Sequence, residues 1–126
     1  MADAALAITL TESGHLHSVS KGGNTIEEEG QATGTYRCAI VVHLLIVSTN
    51  RVSATFTVKP KGGTVSGKGT ARLTTSGGYG YFGGTLAISK GTGAFAHASG
   101  NNIGFSGKFN RETLSVTVNV HGVVHI

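Results

Sequence analysis

A chain of 126 residues with 39% apolar and only 13% charged side chains has room for one hydrophobic core but not two, and residues 1–126 read as a single domain. Twenty glycines with no Gly-X-Y period, one proline and abundant Val, Ile and Thr exclude collagen and disorder and point to an ordered β protein with many tight turns. Ten Lys and Arg against six Asp and Glu give a formal net charge of +4, but the basic residues stand singly, with no cluster or recognition motif, so no nucleic-acid partner is expected.

The single Cys38 allows neither an internal disulfide nor a multi-cysteine metal site. No apolar run approaches the ~20 residues of a membrane-spanning helix, so no membrane partner is expected. The first residues lack the basic and apolar regions of a signal peptide, which leaves both a cytoplasmic protein and one secreted after leader removal open.

Alternation of apolar and polar residues recurs along the whole chain, and no segment shows a helical period. Residues 5–11 set Leu6, Ile8 and Leu10 against Ala7, Thr9 and Thr11; Ser13-Gly14 marks a break, after which residues 15–20 continue in the sheet. A Lys21-Gly22-Gly23-Asn24 loop leads to residues 26–30, which hold the one acidic concentration, Glu27-Glu28-Glu29. Residues 36–47 are apolar on both faces, so Ala39, Val41, Leu45 and Val47 predict a covering element or a subunit interface behind one side of the strand. Residues 51–59 alternate cleanly. Residues 64–73 place Val65, Gly67, Gly69, Ala71 and Leu73 on one face. Residues 79–88 and 101–109 follow, and Asn110-Arg111 predicts a tight hairpin into a final strand over residues 112–126.

Short strands with no crossover helices predict an all-β fold, an antiparallel meander closed into an eight-stranded barrel. Glycines inside residues 64–73 favour a barrel over a sandwich, since sharp coiling needs Gly at crowded corners. With Ala54, Gly67, Gly69, Ala71 and Gly107 facing inward, the same pattern predicts unfilled volume and a small lumen for a ligand. Residues 89–100, Ser-Lys-Gly-Thr-Gly-Ala-Phe-Ala-His-Ala-Ser-Gly, form a glycine-rich closing turn with Phe95 as its only large apolar side chain and His97 at the surface.

Gly91-Thr92-Gly93-x-Phe95-x-x-Ala98-x-Gly100, preceded by Gly83-Gly84-Thr85 and followed by Phe105-Ser106-Gly107, resembles the GTGxFxxAxG turn of the allene oxide cyclase and dirigent barrel superfamily. Gly62-Gly63-Thr64-x-Ser66-Gly67-x-Gly69 is similar to the glycine-rich strand of small bacterial barrels of that kind. The pattern covers residues 62–126, about half the chain. The resemblance implies an eight-stranded antiparallel barrel that binds a small apolar molecule in its lumen, forms dimers or trimers, and steers ring closure or radical coupling by shaping the bound conformer. It carries over no catalytic residue, because the first half does not match.

Candidate chemistry therefore comes from polar groups on the long strand. One register turns Tyr36 and Cys38 inward with Ile40, Val42, Leu44 and Ile46; the other turns Arg37 and His43 inward. Tyr36, Arg37 and His43, with Glu28 near the mouth, are the candidate catalytic residues, and Cys38, Phe56, Phe82, Phe105 and Val118 the candidate ligand-binding ones. The bland alternative makes His43 an interface histidine, Tyr36 a barrel plug and Cys38 a buried inert thiol. His15 and His17 share a face of one strand and His121 and His125 a face of another, so a two-strand histidine site with Glu27, Glu28 or Glu29, and with it a metalloenzyme, is the least favoured alternative; the spacing matches no metal motif, and no metal is expected. Three functions remain: a cofactor-independent cyclase or isomerase, a non-catalytic carrier of a small hydrophobic molecule, and an assembly barrel.

Overall fold

A computed structural model describes residues 7–125. Eight antiparallel strands close into a barrel in sequence order: β1 (Ala7–Gly22), β2 (Thr25–Gly34), β3 (Cys38–Ser48), β4 (Arg51–Pro60), β5 (Val65–Ser76), β6 (Tyr79–Gly91), β7 (Gly100–Asn110) and β8 (Val116–His125). The seam is β1 against β8, from Ala7 opposite His125 to Leu16 opposite Val116. The closing turn after β6 holds one 3₁₀ turn, Gly93–Phe95, which buries Phe95 and presents Tyr36 edge-on to its ring at 5.6 Å between centroids. That turn, with the short β2–β3 and β4–β5 connections, caps one end of the barrel. His97 is exposed on it, as the sequence predicts.

Two elements differ from the sequence reading. β1 runs unbroken through Ser13-Gly14, because Gly14 faces the interior, where a Cβ would stand 3.0 Å from a Val118 methyl and 3.3 Å from Ile40 Cδ1. The last connection is not a two-residue hairpin: residues 111–115 form it, Asn110 Oδ1 accepts from the amides of Glu112 and Thr113, and Leu114 takes φ 62°, so β8 starts at Val116.

Inward residues alternate with outward ones along every strand, and on β3 the inward set is Cys38, Ile40, Val42, Leu44 and Ile46. On the β4–β7 side, part of the space beside the inward glycines is taken by half-buried rings from neighbouring strands. Phe56 lies opposite Gly67, Phe82 opposite Gly107, Phe109 opposite Gly80 and Phe105 opposite Gly84. A Cβ at Gly67 would stand 2.7 Å from Phe56 Cζ, and one at Gly107 would stand 2.8 Å from Phe82 Cζ. The Phe56, Phe109 and Phe82 rings thus lie over Gly67, Gly80 and Gly107 and take up the space that the sequence reading left vacant at Gly67 and Gly107. Phe82 contacts both Phe105 and Phe109, at 6.1 and 6.5 Å between centroids, so the three rings form one half-buried aromatic cluster in this part of the interior.

Candidate functional site

The polar chemistry of the interior lies on the opposite arc, β1 and β2. Ser18, Glu28, Val42, Phe56 and Gly67 are consecutive partners in one row across β1 to β5. Glu28 alternates with outward Glu27 and Glu29, so of the three neighbouring carboxylates it alone turns inward. It is 1% exposed, and its Oε1 has no hydrogen-bond partner among the described residues. Removal from water disfavours the charged form and raises its pKa from 4.5 to about 7.

A second buried carboxyl, Glu12, sits nearer the capped end. Its Oε2 accepts a 2.6 Å hydrogen bond from the Tyr36 amide, and Cys38 Sγ stands 4.0 Å from its Oε1. Burial raises the Glu12 pKa, and the hydrogen bond from Tyr36 opposes that shift. Burial first, and then the charge on Glu12, push the Cys38 thiol up to about 11, so Cys38 stays protonated and is a poor nucleophile.

The four candidate catalytic residues do not converge. Glu28 points inward. Tyr36 is half-buried in the cap against Phe95 and Glu12. Arg37 is exposed in the β2–β3 turn, and His43 is on the outer face, its side chain 61% exposed and its Nε2 3.8 Å from Glu27 Oε1. Strand alternation that sends Cys38 and Val42 inward sends Arg37 and His43 outward, which removes both from any interior site. Of the candidate ligand-binding residues, Cys38, Phe56, Phe82, Phe105 and Val118 all lie on inward faces, but Phe56 and Phe82 are engaged with glycines and Cys38 with Glu12.

Glu12 and Ser18 are interior polar residues that the sequence reading missed. Their signal is parity: Ile8, Leu10, Glu12, Gly14, Leu16 and Ser18 form a single alternating face, visible once Ser13-Gly14 is read as strand. On the outer face Thr11 Oγ1 and His121 Nδ1 are 3.2 Å apart, His15 lies opposite Thr117 and His17 opposite Glu29. Among the described residues no three His, Cys, Asp or Glu side chains gather into a metal-holding group. Among the described residues no helix is long and apolar enough to cross a membrane.

No protein-family model, curated protein or solved structure matches the chain.

Proposed function

We propose that the barrel takes up a small, largely apolar molecule, sets a polar atom of it against Glu28 Oε1, and promotes a cofactor-independent isomerisation or cyclisation there. The observation that carries this reading is the enclosed Glu28 carboxyl with an oxygen that nothing in the described protein satisfies. A buried polar atom of this kind is costly, and cost at an unpartnered group marks functional positions. Titrating near neutrality, Glu28 gives its proton as an acid and takes one back as a carboxylate, so a single group can move a proton from one atom of a bound enol, enone or epoxide to another. The aromatic cluster would then fix the conformer of the bound molecule. Resemblance of the closing turn to the allene oxide cyclase and dirigent barrels points the same way.

A thermal-shift screen of small apolar enones, epoxides and enols against wild-type protein and Glu28→Gln tests the reading, with turnover followed on each compound that binds. Stabilisation of both proteins, with turnover lost in Glu28→Gln, is the expected result. Binding without turnover in wild type replaces the enzyme by a carrier. No stabilising compound of any of these classes overturns both.

The outer face of β3 supports a second role, assembly with another copy of the chain as a dimer. Leu45 and Val47 are 47% and 57% exposed there, beside half-buried Ala39 and Val41. This stripe is flanked by Glu27 and Glu29 on β2 and by Lys59 on β4 and Lys68 on β5, so a twofold axis along the strand lays the acidic flank of one copy over the basic flank of the other. Sedimentation velocity on wild type and Leu45→Lys is the test: association abolished by the lysine supports it, and a wild type that stays monomeric overturns it.

A further inference from the structure

Charge is distributed unevenly around the wall. No carboxylate occurs in the chain between Glu29 and Glu112, whereas nine of the ten Lys and Arg lie in that span. Within it, Arg51 on β4 and Arg72 on β5 are direct cross-strand partners on the outer face, and both are exposed. Like charges directly opposite one another in a sheet are destabilising. Neither guanidinium has a carboxylate or a hydrogen-bond partner among the described residues, where His43–Glu27 is the one ion pair.

The next residue in that row is Gly83 on β6, opposite Arg72. Most glycines on the inner face of this barrel are forced by close approach; Gly83, on the outer face, is not. A Cβ there would meet only Phe105 O at 3.9 Å and Ser106 Cβ at 4.0 Å, and its φ lies outside the left-handed region. Packing and backbone conformation therefore leave the glycine unexplained. It is exposed and forms, with Gly84, the floor of a cleft of about 460 Å3 whose sides are Arg51, Arg72, Thr70 and Thr85. Thr70 and Thr85 are themselves cross-strand partners, so two hydroxyls face the cleft one step from the two guanidinium groups.

We infer that this cleft on the outer wall of β4, β5 and β6 is a binding site for a phosphate or sulfate group, clasped by Arg51 and Arg72 over the side-chain-free floor of Gly83. An oxyanion with several acceptor oxygens turns the repulsion between the two arginines into two charge-assisted, bidentate attractions, a geometry that lysines would not provide. The threonine hydroxyls donate to remaining oxygens, and the absent Cβ at Gly83 lets the anion come down onto the sheet. The site is separate from the interior of the barrel and independent of the reaction proposed there.

Amide NMR titration with sodium phosphate, at ionic strength held constant with sodium chloride, reads the site directly. Saturating shifts at Thr70, Arg72, Gly83, Gly84 and Thr85 are expected, with affinity weakened roughly tenfold or more in Arg72→Ser and in Arg51→Ser. Gly83→Ala should weaken phosphate binding while leaving the melting temperature unchanged, which a merely solvated basic face would not do; Lys90→Ser should bind as wild type. Co-sedimentation with phosphatidylcholine vesicles containing phosphatidic acid distinguishes the source of the group: recovery with the vesicles that is lost in Arg72→Ser assigns it to a lipid headgroup, and retention in the supernatant assigns it to a soluble phosphate ester. Shifts that fail to saturate, that chloride alone reproduces, or that persist unchanged in Arg72→Ser overturn the inference.

Discussion

The two arcs of the barrel interior solve the same geometric problem with opposite chemistry. On β4 to β7 the tight coiling of the wall uses glycine, and Gly67, Gly80 and Gly107 each have a phenylalanine ring from a neighbouring strand over them, while Gly69 lies against Leu86. On β1 and β2 the inward positions hold Gly14, Gly30 and Ala32 together with two carboxyl groups, Glu12 and Glu28. The first arc is apolar throughout these pairs. Glu28 leaves an acceptor oxygen unused, at a cost the aromatic arc never incurs. Where a barrel could be filled by apolar side chains throughout and is not, the exception marks the place for chemistry.

Breaking the aromatic arc should have the largest effect. Phe82→Ala removes the ring that covers Gly107 and joins Phe105 to Phe109, and it should cost about 3 kcal/mol in urea unfolding. The carboxylate arc is sharpened through pH. Because the folded Glu28 holds its proton more tightly than the unfolded 4.5, its contribution to stability is fully present below about pH 4.5 and is lost as pH rises through about 7. Glu28→Gln should abolish that decline and leave the variant more stable than wild type at about pH 8 by on the order of 3 kcal/mol, read from melting temperature against pH; Glu12, shifted in the same direction, leaves a residual slope. Next in size is Glu12→Ala, which strands the Tyr36 amide in the cap and should cost about 2 kcal/mol in the same unfolding assay. Smallest is removal of the outward groups: Arg37→Ala and His43→Ala should each change stability by less than about 0.5 kcal/mol and leave any turnover intact.

Much of this architecture is legible in the residues. Period-two alternation, glycine inside residues 64–73 and Gly-rich punctuation lead to an all-β closed barrel, and Phe95 is recognisable as the plug of its turn. Orientation of the long β3 strand is not legible, because both of its faces are apolar and a one-residue shift exchanges them. That ambiguity placed Arg37 and His43 beside Tyr36 as equals. Glu12 was hidden for another reason: Ser13-Gly14 has turn composition, whereas both residues are held extended in ladders to β2 and β8, pairings that the local sequence does not encode. The vacancy expected at Gly67 and Gly107 fails because a glycine reads as missing volume along one strand, while the ring that restores it comes from the next strand, at a distance that alternation within a strand does not encode.

Closure through β1 and β8 carries a kinetic consequence. The pairs Ala7–His125 and Leu16–Val116 join strands from opposite ends of the chain, so the seam forms only after the intervening strands are in place. Until then β1 and β7 each present an unpaired edge, and a growing chain holds a partly built sheet with two open sides. Along the seam β1 offers Thr9, Thr11, Ser13, His15 and His17 outward, polar side chains that keep its outer surface soluble while the edge waits for β8. The first strand to be made is thus the last to be completed.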